Sequence, residues 1–334
     1  MIAAARCARA TPRRSRRRRV ERRKRSRRGS RNGPIIACLV TALGLPTVAH
    51  PTAAQERELK SYGAGAPEGK LMVFYSSSVA FSPIGVPWGA TGLSARSVPV
   101  GRTIPRTELA IEVSYIPPLS ADQRSVQTDK PESTNLAPVF LRPRLGIRLP
   151  WGLGLEGSWI PPVRVFDVKA NVVSAAMSRA FDVGAGVRLT PRLSVLTGRV
   201  EGPITCNREN ADRGDQSLMT YYEFVCHGND SRDYLEPRHV SGELIVARSV
   251  ANGRWEPYLS AGARGERTRF DIGVMRDDGS RDPDNPILEV TTTRAYGTAG
   301  ASWLGLPRTR LSGELFYAPG SLFTVRAVAG VHLW

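Results

Sequence analysis

The sequence predicts an all-β protein, a transmembrane antiparallel β-barrel of about 12 strands, with 10 or 14 strands as alternatives. Three observations predict this fold. Apolar and polar residues alternate with a period of two, and short turns alternate with long polar loops. In addition, no stretch after residue 54 has the run of about 18 apolar residues that a transmembrane helix needs.

Residues 1–54 have the features of an export signal. Residues 1–33 hold fifteen Arg or Lys and one acid, a net charge of +14, which leaves only +3 of the total +17 for the rest of the chain. The basic charge therefore does not indicate a nucleic-acid partner. A short apolar run and small residues ending at Ala54 complete a signal peptide with a long basic n-region. A start codon assigned too far upstream would explain that length.

The mature chain is predicted to begin with a short periplasmic segment, 55–70, followed by a barrel over 71–334. The predicted strands span 71–81, 94–101, 104–116, 138–149, 152–160, 166–189, 193–202, 238–250, 254–266, 287–304, 310–318 and 321–334. Tight turns are predicted at 150–152, 190–192, 251–254 and 306–309. Long extracellular loops are predicted at 117–137, 202–237 and 267–286.

Alternation is clearest in the segments 108–115 and 139–149, where one strand face is apolar and the other is charged. Such a strand fits a wall with lipid outside and a lumen inside. The charges predicted to line the lumen are Glu108, Glu112, Arg142, Arg144, Arg148, Glu156, Arg264, Arg294, Glu314 and Arg326. They have two interpretations: they pair and fill the lumen, or they set the selectivity of a pore.

Aromatic residues cluster at both predicted rims of the wall. Amphipathic rings at both rims are typical of the two interfaces of a membrane. The predicted girdle residues are Trp151, Trp159, Trp255, Trp303, Trp334, Tyr115 and Tyr317.

Two cysteines remain after removal of the leader, Cys206 and Cys226, and they lie in one long polar loop. In an exported protein such a pair predicts a disulfide. No second Cys/His pair has the spacing of metal ligands, so the sequence predicts neither a metal site nor a cofactor.

The last strand, 322–334, ends on an aromatic residue, Trp334. It resembles the last strand of bacterial outer-membrane β-barrel proteins of the porin-like kind, whose terminal aromatic is read by the barrel-assembly machinery. The resemblance implies a location in the bacterial outer membrane, with the assembly machinery, membrane lipid and lipopolysaccharide as partners. Alternation predicts that Phe323 and Val325 face lipid while Arg326 faces the lumen, because an arginine at mid-bilayer costs about 2–4 kcal/mol.

The pair His239 and Ser241 resembles the His-x-Ser arrangement of outer-membrane phospholipase A and of lipid A deacylases. Here Ser241 is followed by Gly242 and Glu243 instead of Asn, so the residue that would support the oxyanion is missing. Alternation also turns the pair toward the lumen. His239, Ser241 and Glu243 therefore remain candidates for a hydrolase that the sequence does not favour, and a polar lumen patch is the alternative.

The resemblance and the charged lumen together favour passage or surface binding of small solutes through a narrow, charge-lined lumen. The alternatives are a lipid hydrolase or deacylase and a structural or adhesive barrel without transport. The sequence does not determine the solute, the oligomeric state or whether the lumen is open.

Overall fold

The computed structural model describes residues 57–79, 85, 106–120, 123, 137–149, 152–214 and 216–333. These residues form a closed antiparallel β-barrel of ten strands, which confirms the predicted fold class at the lower of the predicted strand numbers. The predicted signal peptide and the predicted strand at 94–101 lie outside the described residues.

The wall strands are β2 (Arg106–Tyr115), β3 (Val139–Arg148), β4 (Leu153–Ile160), β6 (Val168–Arg179), β8 (Val187–Gly202), β9 (Asp233–Arg248), β10 (Trp255–Asp271), β11 (Ile287–Trp303), β12 (Thr309–Ala318) and β13 (Leu322–His332). Three short strands are additional: β1 (Leu59–Tyr62), β5 (Arg164–Val165) and β7 (Phe181–Gly184). The helices are α1 (Pro67–Val79), α2 (Arg208–Ala211) and α3 (Gln216–Phe224), with one 3-10 turn at Ala251–Gly253.

Each wall strand pairs with the next wall strand along the chain, and β13 pairs with β2 to close the ring. The short connections that precede β4, β8, β10 and β12 lie, with the end of β13, at one end of the barrel, called here the short-turn end. The loops after β2, β8 and β10 lie at the other, the long-loop end. Among the helices of the described residues, none has the length and apolar character needed to cross a membrane.

The predicted strand at 71–81 is wrong, because its described residues, 71–79, belong to helix α1. Pro67 occupies the first helical position, where its missing N–H is no loss to the helix. The helix lies in the lumen and buries Met72, Val73 and Phe74. A helix that is buried on several sides lacks a regular polar face, so its apolar run is hard to distinguish from a buried strand in the sequence.

The predicted turn at 190–192 is also wrong. β8 continues through these residues, and the chain turns instead at 184–186, where all three residues have positive φ angles. Pro191 lies where the partner of β8 on one side changes from β6, which ends opposite Arg192, to β7, which begins opposite Leu189. The loss of one ladder hydrogen bond is tolerated at such a change of partner.

Residues 57–79 lie at the long-loop end and inside the barrel, whereas the lead predicted at 55–70 is expected at the short-turn end. β1 pairs in parallel with the first four residues of β11. The ladder between β11 and β12 reaches only Gly297, so β1 pairs with a part of β11 beyond the reach of β12. Arg57 binds Asp271 at the end of β10 through two hydrogen bonds of 2.6 and 2.8 Å.

The middle of the wall has an apolar outer surface, called here the apolar belt. Its outward side chains include Leu193, Val240 and Leu259, which are 60%, 64% and 64% exposed. β13 adopts the predicted register, since Val325 is 50% exposed while Arg326 is buried at 1%. An apolar exterior over a polar interior is the pattern of a barrel in lipid.

Four neighbouring strands, β8 to β11, are 16 or 17 residues long, whereas the other wall strands have 8 to 12. Toward the long-loop end these strands reverse their pattern. On β9, exposed Val240 alternates with buried His239, but beyond them outward Glu236 and Arg238 alternate with buried Leu235. Above the apolar belt, the taller part of the wall is therefore polar outside and apolar inside.

The predicted disulfide between Cys206 and Cys226 is confirmed, with a Cα–Cα distance of 5.9 Å. It closes the loop after β8, which carries α2 and α3. The buried carboxylate of Asp233 accepts hydrogen bonds from the N–H of Thr205 at 2.5 Å and of Gly273 at 2.7 Å. One carboxylate thus anchors both the loop after β8 and the loop after β10.

Replacement of Leu259 by Arg places a charge in the apolar belt, and we expect it to lower the free energy of unfolding by about 2–4 kcal/mol. Leu306→Arg is the matched control, because Leu306 is 51% exposed in a short turn at the rim of the barrel. The measurement is urea unfolding of the protein in lipid vesicles. Equal losses for the two variants would contradict the assigned membrane surface.

Candidate functional site in the barrel lumen

Charged side chains in the lumen form a connected set of ion pairs, called here the ion-pair layer. Glu112 is fully buried, and its carboxylate lies 2.5 Å from Arg142 Nη2 and 3.3 Å from Arg144 Nη1. Arg326 Nη1 is 3.9 Å from the same carboxylate and Arg326 also binds Glu314. Buried charges are tolerated when each has a counter-charge, and this arrangement supplies one to every member.

The layer continues around the wall through a second group of arginines. Arg192 Nε is 2.5 Å from Glu243 Oε1, and its Nη1 is 3.5 Å from Glu156 Oε2. Arg310 Nη2 is 2.5 Å from Glu108 Oε1. Arg192 thus joins β8 to its neighbour β9 and, past β6, to β4, while Arg310 joins β12 to β2 past β13, so the pairs link the wall laterally along its inner face.

Most of the charges predicted to line the lumen have buried side chains that face inward. These are Glu108, Glu112, Arg142, Arg144, Glu156, Arg264, Glu314 and Arg326. Arg148 and Arg294 share the inward register but are partly exposed, and Arg294 Nε is 3.1 Å from Glu266 Oε1.

Further buried lumen charges were not predicted: Arg188, Arg192, Glu256, Glu266 and Arg310. The period-two pattern of β8 would have identified Arg188 and Arg192, but interpreting Pro191 as a turn interrupted that strand.

The N-terminal segment reaches the ion-pair layer at Gly85. Its N–H donates to Glu314 Oε2 at 3.0 Å, and its carbonyl oxygen accepts from Arg192 Nη1 at 3.0 Å. Gly85 has a φ of +80°, a conformation that L side chains rarely adopt. Both backbone polar groups of one residue are therefore bonded within the layer.

Helix α1 is held in the lumen by two consecutive hydroxyl groups, Ser76 and Ser77. Ser76 Oγ is 2.7 Å from His239 Nε2, and both serines are fully buried. The wall residues that bind these hydroxyls are His239, Thr268, Arg264 and Ser321. We call this set the helix seat. The neighbouring Ser78 is different, because its hydroxyl donates to the carbonyl of Tyr75 within the helix at 2.8 Å.

An apolar pocket lies between α1 and the wall toward the long-loop end. It encloses about 460 Å³ of empty volume, including its open mouth. The lining residues are Phe74, Tyr75, Ser78, Val79, Ile116, Ala137, Phe140, Val168, Val200, Ile204 and Leu235. Ligand sites in proteins are commonly concave and mostly apolar with few polar groups, and this lining has that composition.

The three hydrolase candidates have separate partners. His239 Nε2 binds Ser76, whereas Ser241 Oγ lies 2.6 Å from Ser194 Oγ. Glu243 binds Arg192 and accepts from Ser260 Oγ at 3.0 Å. The structure therefore places these side chains in the polar lumen and does not pair His239 with Ser241 as base and nucleophile.

The predicted girdle residues that the structure describes lie on the outer face near the two rims. Tyr115, Trp159 and Tyr317 are about half exposed at the long-loop ends of their strands. Trp255 and Trp303 are register partners at the short-turn ends of β10 and β11. Trp151 and Trp334 lie outside the described residues.

The loop after β10 contains two carboxyl groups with lowered pKa values. Hydrogen bonds from the hydroxyl and N–H of Ser280 lower the pKa of Asp278, and the N–H of Asp284 lowers the pKa of Asp282. Both groups are solvent-exposed, so these bonds order the loop locally and contribute little to global stability. In the described residues no cluster of three or more His, Cys, Asp or Glu could hold a metal ion.

Replacement of Glu112 by Gln leaves Arg142, Arg144 and Arg326 short of a buried counter-charge. We expect this variant to lose about 3–5 kcal/mol of unfolding free energy. Glu236→Gln is the control, because it breaks a solvent-exposed pair with Arg199, worth about 0–1 kcal/mol. Denaturant unfolding in detergent micelles measures both, and a small loss for Glu112→Gln would show that the layer does not depend on its central carboxylate.

No family model and no curated protein matches the sequence. Among solved structures, similar chains include the toluene transporters TodX of Pseudomonas putida (9% identity, 83% of this chain and 78% of that chain, TM-score 0.30) and TbuX of Ralstonia pickettii (8%, 70% and 90%, 0.28). The attachment invasion locus protein Ail of Yersinia pestis is another (9%, 68% and 97%, 0.27). With its closed ten-stranded wall, the chain has the architecture of a bacterial outer-membrane β-barrel protein.

Proposed function

We propose that this protein binds small, largely apolar solutes at the cell surface and passes them inward when α1 leaves its seat. The observation that carries the proposal is the apolar pocket between α1 and the wall, above the ion-pair layer. Long loops are extracellular in outer-membrane barrels, so the mouth of this pocket faces the outside of the cell.

The contents of the lumen support gated passage over free diffusion. α1 occupies the upper lumen, and Arg192 and Glu314 hold Gly85 within the ion-pair layer. The helix seat consists of hydrogen bonds of hydroxyl groups, worth about 1 kcal/mol each between neutral partners and about 1.5–3 kcal/mol for the bond from Arg264. α1 is also held by the packing of Met72, Val73 and Phe74, and departure from its position exposes these side chains, whereas the ion-pair layer is part of the wall itself.

The pocket predicts a preference for uncharged ligands. Nine of its eleven lining residues, all except Tyr75 and Ser78, have side chains of only carbon and hydrogen. A charged group bound there would lose its hydration without gaining a counter-charge, which is costly. Solutes with an apolar body and at most one polar group fit this lining.

A pocket-filling variant tests the binding step. Ala137→Phe places a ring in the pocket, and we expect at least a tenfold weaker affinity for N-phenyl-1-naphthylamine, an uncharged aromatic probe, which corresponds to about 1.4 kcal/mol. Ala263→Phe on the exposed outer wall is the matched control. Probe fluorescence in detergent solution reports the affinity. Unchanged affinity in both variants, or absence of binding by the original protein, would exclude the pocket as the site.

Removal of the helix seat tests the passage step. In Ser76→Ala with Ser77→Ala, α1 loses the hydrogen bonds of the helix seat, so we expect the open probability in planar bilayers to rise roughly tenfold to a hundredfold. Ser78→Ala is the control, because its hydroxyl binds only the backbone of its own helix among the described contacts. A folded double variant that remains electrically silent would favour an adhesive or structural barrel.

A further inference from the structure

A cluster of arginines lies on the outer face of the tall wall, just beyond the apolar belt. Arg199 on β8, Arg238 on β9 and Arg267 on β10 are exposed, and Arg269 is partly exposed. They lie outside the barrel and take no part in the ion-pair layer. The cluster is therefore independent of the lumen and of the proposed passage of solutes.

Two of these arginines face each other across neighbouring strands, since Arg238 and Arg267 are direct register partners. Side chains in such positions have Cβ atoms about 4.5–5.5 Å apart, and like charges there destabilise the sheet. Arg267 Nη2 is 2.9 Å from Glu289. Arg238 forms no ion pair with any residue of the described part of the chain. The pair consequently has one more positive charge than its neighbours neutralise.

The nearby carboxylates, Glu236 and Glu289, already form ion pairs with arginines of the cluster other than Arg238. Glu289 is shared, because Arg269 Nε also lies 2.7 Å from it. Glu236 binds Arg199 at 2.6 Å. The four arginines thus face two carboxylates, which leaves room for an external anion carrying one or two negative charges.

The position of Arg238 and Arg267 on the wall defines where such an anion would lie relative to the membrane. The next outward residue of β9 is Val240, which is 64% exposed and belongs to the apolar belt. On the same face, ten residues further along β9, Arg248 is exposed at the short-turn end. Ten residues correspond to roughly 33 Å along a strand, or roughly 25 Å along the membrane normal at a tilt of about 40°. Arg238 and Arg248 therefore lie at the two borders of the hydrocarbon region.

We propose that Arg238 and Arg267 bind a phosphate group of an outer-leaflet membrane lipid. Guanidinium groups bind phosphate oxygens in bidentate geometry, and basic residues at the membrane surface recognise anionic headgroups. The phosphate neutralises the like-charged pair, and the acyl chains of the same lipid lie along the adjoining apolar belt. A phosphorylated glycolipid such as lipid A offers both parts in one molecule.

The test is a titration of the full-length mature protein in detergent with diphosphoryl lipid A, followed by native mass spectrometry. We expect Arg238→Gln with Arg267→Gln to weaken lipid A binding at least tenfold. Arg248→Gln, on the same strand and the same face, is expected to leave it unchanged. Heat-modifiable mobility on gels verifies that every variant is folded, and the exposed position of these side chains makes loss of the fold unexpected.

Two further ligands distinguish the source of the phosphate. Dioleoylphosphatidylcholine supplies acyl chains and a phosphate without net charge, and inorganic phosphate supplies the anion alone. The proposal requires that neither binds through Arg238 and Arg267 as tightly as lipid A does. Equal binding of lipid A to the original protein and the double variant would overturn it. Arginine-dependent binding of inorganic phosphate as tight as that of lipid A would also overturn it, by showing an anion site without lipid recognition.

Discussion

The pairing of buried charges inside the barrel is the constraint on which the rest of the structure depends. Glu112 has three arginines within 4 Å. Burial of its charge without these arginines, or of the arginines without Glu112, would carry a large desolvation cost. This requirement fixes which face of each strand is inward, and a shift of one residue would place an arginine in lipid. The ion-pair layer thus stabilises the register of the barrel as well as filling it.

The same constraint explains how the N-terminal segment fits into the lumen. A peptide that enters a charged layer must have both its N–H and its carbonyl group bonded. Gly85 satisfies this through Glu314 and Arg192. Two serine hydroxyls of α1 are likewise hydrogen-bonded to the wall in the helix seat. The segment therefore replaces the water that would otherwise hydrate these side chains. In the described residues, its polar contacts are directional and its apolar side chains Met72, Val73 and Phe74 pack against the wall.

Alternation of apolar and charged residues predicted the wall, because lipid outside and ion pairs inside impose a period of two on every strand. The inward charges of β2 and β3, such as Glu112 and Arg142, are readable in this way. The pattern could not predict α1, since a helix surrounded by protein need not be amphipathic. It also could not predict that β8 passes through Pro191, because tolerance of that proline depends on where two neighbouring strands end. Pairing of Cys206 with Cys226 needed only their number and compartment.

The four tall strands reverse their polarity pattern between the apolar belt and the long-loop end, and this has a consequence for how substitutions act. Near Val240, an outward position accepts only apolar residues and an inward position accepts polar ones. Four residues closer to the long-loop end, the outward Glu236 faces water and the inward Leu235 belongs to an apolar core. The substitutions that are tolerated in the membrane-facing half of such a strand are therefore the opposite of those tolerated in the half nearer the long loops. The residue at which tolerance changes sign on each strand marks the height of the membrane surface, so a scan of substitutions along β8 to β11 would trace that surface around the protein.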